Sequence, residues 1–420
     1  MLFHYQIEAV WKHLILCLTR KVLLRVIIMS IEENTDFIKY LKEIGFEWKN
    51  QLDYHLINDK VSVEEYRLFK KGNFISGLPR NACKIYLDLN VWIFFRDAFL
   101  GRKLKDTKWI DIYQKAIYLN EFHNVYFVIS PNIYFELDKQ KTSENYAALL
   151  NIIGKLSNEL TIENPLQLVF DETLFCLMDM LKVKSPNFDV NNYQWDKASA
   201  IYGIPFIQTN NNNAAMIAIN KTLIDAIYQI PFRDFYRLFG MDKGHEFAYG
   251  FERVSNELNQ DLDHKIGVRG QNFEELYNEE FQGAIEASTE IIEDALTQFL
   301  KWHYNTNSIE VTAVKEKGLI NVFPNIFRFG KIQKYFPSLQ VHSGLHASIR
   351  YDKTKKFTAN DLFDFHHASN AIPYCDYFIT DNPLAQRLIN KPLAINKKFG
   401  TKVLPANPDL ILQIFEDIVI

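Results

Sequence analysis

The chain has 420 residues, of which 48% are hydrophobic and 23% charged, and its formal net charge is −4. These values exclude an intrinsically disordered chain and allow a large hydrophobic core, with two domains as a first expectation. They also exclude a strong overall positive field, so a nucleic acid would have to bind through local basic patches. The four cysteines are scattered, which argues against a disulfide framework and a cysteine zinc site and favours a reducing, cytoplasmic location.

Residues 1–28 are more basic than the rest of the chain. Four basic side chains against one acidic side chain give this segment a charge of +3, which leaves −7 for the remainder. No stretch reaches the roughly 20 apolar residues that a bilayer crossing needs, so stable membrane insertion is not predicted. Either Met29 is the true start, with Ser30 opening a helix, or the segment is a basic amphipathic helix that touches a membrane surface. Residues 29–83 are predicted to form a helical N-terminal region.

Strands and helices alternate over residues 84–150. A short buried strand over 84–89 leads into a helix over 91–99, for which Asn90 is a candidate cap. A helix over 108–122, a strand over 125–129 and a helix begun by Ser130 and Pro131 complete the pattern. This alternation predicts a parallel sheet.

Residues 340–420 repeat the alternation. Thr358 or Asn360 can cap a helix that ends near Ala371. A strand over 376–379, a helix over 383–389, a strand over 402–404 and a last helix begun by Asn407 and Pro408 follow. The stretch between the two α/β pieces, 151–339, is mainly helical by pattern and contains a polar tract at 210–213 that indicates a loop. We therefore expect one sheet that a large helical insertion interrupts.

Four acidic residues stand where α/β folds place chemistry. Asp88 follows the first strand, and Glu136 lies in the helix after the second strand. Asp364 is predicted in the first turn of a later helix, and Asp381 follows a later strand. Two carboxylates 4 Å apart repel by about 4 kcal/mol at a surface-like dielectric, so four would need a cation between them. Oxygen ligands select hard ions, which predicts Mg²⁺ or Mn²⁺, and such ions bind phosphate oxygens and activate water.

The ordered acids resemble those of the PIN-domain nuclease superfamily. The matching motifs are Leu87-Asp88-Leu89-Asn90, Ser130-Pro131 followed by Glu136, Asp364 with Ala368 and Ala371, and Thr380-Asp381. The resemblance covers roughly 84–150 and 340–420, and the long gap between Glu136 and Asp364 departs from compact members. It implies a three-layer α/β/α fold with a central, mainly parallel sheet. It also implies a metal-dependent nuclease, most often an endoribonuclease on single-stranded or structured RNA, with Asp88, Glu136, Asp364 and Asp381 as catalytic metal ligands.

Five further residues are candidates for binding substrate. Lys353 and Lys356 precede the helix of Asp364 and could neutralise phosphates, or could lie in a solvated loop. His367 shares a face with Asp364 and could orient it or a phosphate, although a structural histidine is the commoner case. Thr380 could position Asp381 or the attacking water. Asn90 could support the metal, but capping explains it equally well.

Two other functions fit the same residues. One is a structure-specific DNA nuclease. The other is a catalytically inactive PIN-like binding or scaffold protein, in which the helical insertion docks a protein partner.

Overall fold

The computed structural model describes residues 35–58, 61–79, 81–137, 143–183, 188–189, 191–201, 214–239, 244–265, 272–304 and 332–419. The predictions for residues 1–28, for Met29 with the helix begun by Ser30, and for the loop at 210–213 lie outside these residues.

A parallel sheet of four strands lies at the centre of the described chain. Its strands are β1 (Cys83–Leu87), β2 (Val125–Val128), β5 (Tyr377–Thr380) and β6 (Lys402–Pro405), in the order β2-β1-β5-β6. Two short strands of the middle region, β3 (Leu160–Ile162) and β4 (Trp195–Lys197), pair antiparallel. An isolated parallel bridge from Ile129 to Thr161 links β3 to the end of β2. The predicted α/β class is therefore confirmed, with a parallel sheet that joins sequence from both sides of the middle region.

The strands form where the sequence is apolar and rich in β-branched and aromatic residues. All four residues of β2 and of β5 are buried, as are the last three of β1. Burying one such large side chain contributes about 1.5–3 kcal/mol, so these runs anchor the sheet. β6 has an exposed Lys402 and ends at Pro405, which fits an edge strand because proline cannot donate a ladder hydrogen bond.

Helices make up most of the described chain. Those before and beside the first strands are α1 (Thr35–Glu43), α2 (Trp48–Ile57), α3 (Val63–Ser76), α4 (Leu89–Phe99), α5 (Lys108–Phe122), α6 (Pro131–Leu137) and α7 (Ser143–Ser157). Those of the middle region are α8 (Pro165–Leu181), α9 (Ala214–Gln229), α10 (Phe232–Phe239), α11 (Gly244–Lys265), α12 (Phe273–Ala287) and α13 (Thr289–Tyr304). Those of the tail are α14 (Pro337–Tyr351), α15 (Ala359–Ala371), α16 (Asn382–Ile389), α17 (Asn396–Phe399) and α18 (Pro408–Asp417). Short 3₁₀ turns occupy Ala198–Ala200 and Gln333–Tyr335.

The helix starts show which capping predictions were right. Thr358, not Asn360, caps α15, in a capping box with Asp361. Asn407 caps α18 ahead of Pro408, as expected. The expectation that Asn90 is a cap was wrong: α4 begins at Leu89, so Asn90 is already inside the helix, and it is exposed.

The main hydrophobic core draws on every region of the described chain. One cluster includes Phe37 from α1, Ile85 from β1, Leu223 from α9 and Phe378 from β5. The division into regions at 29–83, 84–150 with 340–420, and 151–339 stays a prediction. Among the described residues, no helix is both long and apolar enough to cross a membrane.

Candidate metal centre

Two of the predicted acids lie at the same edge of the sheet. β1 and β5 are parallel neighbours, and Asp88 and Asp381 each follow the last residue of one of them. The Asp88 amide donates to the Ile379 carbonyl at 2.9 Å, which holds the two strand ends together. From this pair the sheet continues to β2 on one side and to β6 on the other. Such a reversal of strand order at the carboxyl ends of strands is where open α/β sheets bind ligands.

The Asp88 side chain points to this edge and does not cap a helix. It stands at the N-cap position of α4, yet its carboxylate makes no capping hydrogen bond to the helix. Its Oδ2 instead accepts from Thr380 Oγ1 at 3.2 Å, and the residue is buried. Burial raises the pKa of Asp88, and the Glu136 carboxylate adds to this, whereas His367 and Thr380 oppose it.

Two helices add side chains to the same place. α6 follows β2 and carries Glu136, while α15 packs against α6 and carries Asp364 and His367. His367 Nε2 lies 3.0 Å from Glu136 Oε2. One ligand atom each from Asp88, Glu136 and His367 lies within 4.8 Å of the other two, which is compact enough to hold a metal ion. We call these three residues the compact group.

Asp364 and Asp381 accompany the compact group without being part of it. Burial raises the pKa of Asp364 to about 8, and the carboxylates of Asp88, Asp381 and Glu136 contribute to the rise while His367 opposes it. All four predicted acids therefore share one electrostatic environment. The Asp381 side chain also accepts from the Leu384 amide at 2.8 Å, so it caps α16 as well.

His367 balances part of this negative charge. Burial alone would lower its pKa, but the carboxylates of Glu136, Asp88 and Asp364 outweigh burial and raise it. A buried imidazole next to several carboxylates behaves in this way because they favour its charged form.

The residues present fit a divalent cation. Without a bound cation, burial and repulsion from the neighbouring carboxylates make Asp364 retain a proton near neutral pH. A dication between such carboxylates would replace the proton and remove the repulsion. The compact group offers two carboxylates and one imidazole, a donor set that suits Mn²⁺ or a related divalent ion, and its oxygens also suit Mg²⁺.

The other predicted residues are exposed or have other partners. Lys353 and Lys356 are exposed in the loop before α15. Asp361 closes the capping box of α15 and pairs with Arg387 at 2.8 Å. Thr380 is buried and bonds to Asp88, although the sequence had suggested that it positions Asp381 or water.

A buried chain behind His367 was not predicted. Tyr86 OH lies 2.6 Å from His367 Nδ1 and 2.6 Å from Ser130 Oγ. Alternation gives the signal that could have found it: Tyr86 and Asp88 are two positions apart in an extended segment, so they share a side of the sheet. Ser130 had been interpreted only as a helix start.

A cleft of about 1180 Å³ lies at the opposite end of the sheet. It is lined by Cys83, Lys84, Tyr377 and Lys402, where the strands begin, and by Asp376. Asp376 Oδ2 accepts from the Lys84 amide at 2.8 Å, which ties the starts of β1 and β5 together. Asp376 therefore does not belong to the carboxylate site.

Searches against protein-family models, curated proteins and solved structures returned no match for this chain.

Proposed function

We propose that this chain is a metal-dependent nuclease that hydrolyses phosphodiester bonds in RNA. The observation that carries the proposal is the compact group, in which Asp88 and Glu136, predicted as ligands from separate motifs, lie together with His367. Asp88 and Glu136 belong to the compact group, and the carboxylates of Asp88, Asp381 and Glu136 all raise the pKa of Asp364 after burial.

The fold supports the proposal at a coarser level. The strand order β2-β1-β5-β6 reverses between β1 and β5, and Asp88 and Asp381 follow these two strands, which supports a ligand site there. A three-layer α/β/α arrangement of PIN type, as the resemblance implies, is part of the proposal. Fold alone never establishes an activity, so the argument depends on the site.

The side chains would act in defined ways. Asp88, Glu136, Asp364 and Asp381 would hold one or two Mg²⁺ or Mn²⁺ ions. Such a cation would bind phosphate oxygens and lower the pKa of a water molecule for in-line attack. Hydrolysis adds the water oxygen to phosphorus, breaks the bond to the leaving sugar oxygen and delivers a proton to that oxygen. Thr380 would keep the Asp88 carboxylate oriented through its 3.2 Å hydrogen bond.

RNA is the proposed substrate class because of the resemblance. With a net charge of −4, the chain would need local cations for phosphates. Lys353 and Lys356, exposed before α15, are the candidates. Phosphate contacts of this kind position a strand without reading its sequence.

The test is cleavage of single-stranded RNA, hairpin RNA, single-stranded DNA and duplex DNA with Mg²⁺, Mn²⁺ or chelator. We expect metal-dependent RNA cleavage that falls at least a hundredfold in Asp88→Asn. Asp111→Asn, an exposed acid on α5, is the matched control and should cleave like the wild type.

The outcomes separate the alternatives. Preferential cleavage of DNA would show that the substrate is DNA and not RNA. No cleavage of any substrate, or equal cleavage by wild type and Asp88→Asn, would remove the nuclease and favour a binding or scaffold protein.

A further inference from the structure

The compact group contains a nitrogen donor. The atoms that lie within 4.8 Å of one another come from Asp88, Glu136 and His367, whereas Asp364 and Asp381 are outside the group. His367 is 2% exposed, so its ring is held in place by packing and by its two hydrogen-bond partners.

The far side of the ring has a partner suited to a metal-ligating histidine. His367 Nδ1 lies 2.6 Å from Tyr86 OH, which in turn lies 2.6 Å from Ser130 Oγ, and all three residues are buried. Histidines that bind metals through one nitrogen usually bond through the other to a fixed group, which sets the ring orientation. Tyr86 and Ser130 provide that support from two different strand ends.

This chain of hydrogen bonds can run in either direction, because hydroxyl protons and the histidine tautomer are free to reverse. In one direction Ser130 donates to Tyr86, Tyr86 donates to Nδ1, and Nε2–H donates to Glu136. In the other, Nδ1–H donates to Tyr86 and Tyr86 donates to Ser130. The second direction leaves the Nε2 lone pair directed at the carboxylates.

We propose that His367 Nε2 is a metal ligand together with Asp88 and Glu136, and that the centre therefore prefers a first-row transition-metal dication to Mg²⁺. This inference rests on the metal centre of the proposed function. Imidazole nitrogen binds such ions well, whereas Mg²⁺ prefers oxygen.

The spacing agrees with shared ligation. Two neighbouring ligands that are each about 2.1 Å from an ion in an octahedral site lie about 3 Å apart. Nε2 of His367 and Oε2 of Glu136 are 3.0 Å apart. Asp364 and Asp381, outside the compact group, would complete the coordination of this ion or hold a second one.

Pulsed electron paramagnetic resonance of the full chain loaded with Mn²⁺ tests the ligand directly. We expect nitrogen hyperfine coupling in the wild type, its loss in His367→Gln, and its retention in His123→Gln, a half-buried histidine directly after α5. Tyr86→Phe keeps the His367 imidazole and removes the hydroxyl that supports it. Nitrogen coupling should therefore persist, while the affinity for Mn²⁺ falls 10–100-fold. This variant keeps the test valid if His367→Gln fails to fold.

Calorimetric titration with Mn²⁺ and Mg²⁺ tests the preference. We expect at least tenfold tighter Mn²⁺ binding in the wild type and a ratio closer to one in His367→Gln. Mn²⁺ binding without nitrogen coupling would contradict the proposal that His367 is a ligand, and it would not contradict the proposed nuclease function. Nitrogen coupling without any cleavage would support the ligand and remove the nuclease, and failure to bind Mn²⁺ at all would overturn both.

Discussion

Asp88 and Thr380 are 292 positions apart in the sequence, yet Thr380 Oγ1 donates to Asp88 Oδ2 at 3.2 Å. The contact exists because β1 and β5 are parallel neighbours. Asp88 directly follows β1 and Thr380 is the last residue of β5, so both lie at the same edge of the sheet. The hydroxyl gives a hydrogen-bond partner to a buried carboxylate that belongs to the compact group with His367 and Glu136. This relationship leads to the first prediction.

Thr380→Val removes the hydroxyl and keeps the shape of the side chain. A buried carboxylate that loses one hydrogen bond costs about 1–3 kcal/mol, so the free energy of unfolding should fall by that amount. Affinity for Mn²⁺ should fall 10–100-fold, because a ligand has lost its orienting partner. Urea unfolding and calorimetric titration measure the two effects.

Thr401→Val is the matched control. Thr401 is buried and donates to the Ile372 carbonyl, away from the strand ends that carry the acids. Its substitution should destabilise the fold without changing Mn²⁺ affinity. If both variants bind Mn²⁺ like the wild type, Thr380 does not orient a metal ligand.

Asp364→Asn should stabilise the metal-free protein as the pH rises. The pKa of Asp364 is raised from 3.8 to about 8, first by burial and then by Asp88. Below about pH 4 the carboxyl group of Asp364 is neutral in both the folded and the unfolded chain, so it does not reduce the free energy of unfolding. As the pH rises toward 8, ionisation favours the unfolded chain, and the wild type loses stability. Asparagine does not ionise, so its advantage should grow over this window to at most about 4 kcal/mol at pH 7.

Unfolding in chelator at pH 4, 6 and 8 measures this advantage. The same variant should lose much of the thermal stabilisation that Mn²⁺ gives the wild type, because one carboxylate near the ion is gone. Asp111→Asn should match the wild type at each pH. An advantage that does not change with pH would contradict the interpretation of Asp364.

Glu172 gives a second pH-dependent prediction, away from the candidate metal centre. It lies in α8, where burial raises the pKa of its carboxyl from 4.5 to about 8 despite hydrogen bonds from Tyr374 and Ser338. The contribution of Glu172 to the free energy of unfolding should therefore be most favourable below about pH 4.5 and decrease as the pH rises from there toward 8. The free energy of unfolding of Glu172→Gln, relative to that of the wild type, should be higher at pH 8 than at pH 5, by about 4 kcal/mol at most. Equal differences in unfolding free energy at the two pH values would refute this.

Lys71 should be important for stability because it is the buried cation among several buried acids. Its Nζ lies 2.9 Å from Glu163 Oε2 and 3.6 Å from Asp171 Oδ2, and it joins α3 to the segment after β3. Lys71→Met leaves those carboxylates with the longer contact of 4.0 Å between Arg67 and Glu163, and it should cost about 3–5 kcal/mol of unfolding free energy.

The controls for Lys71 distinguish charge from packing. Lys39→Met removes one member of an exposed pair with Glu43 at 4.0 Å and should change stability by less than about 0.5 kcal/mol. Lys71→Met with Glu163→Gln should recover part of the loss, since one unpaired charge is removed with its partner. Equal destabilisation in the single and double variants would show that packing dominates.

Local patterns in the sequence were sufficient for most elements near the site. The helix Lys108–Phe122 has the predicted bounds, and the strands differ from prediction by one or two residues. The error at Asn90 has a simple cause: the chain turns into α4 directly after Asp88, two positions earlier than the cap pattern suggested. Caps and short apolar runs are local signals, so they can be recognised without knowing what packs against them.

The sequence by itself determined the four acids, their order and the strands and helices that carry them. Tertiary structure alone decided that His367 faces Glu136, that Tyr86 and Ser130 support it, and that Asp364 and Asp381 stay outside the compact group. These contacts join residues from β1, α6 and α15, and 231 positions separate Glu136 from His367. No periodicity within one element carries such a relationship, because it depends on how parallel strands align and how two helices pack over their ends.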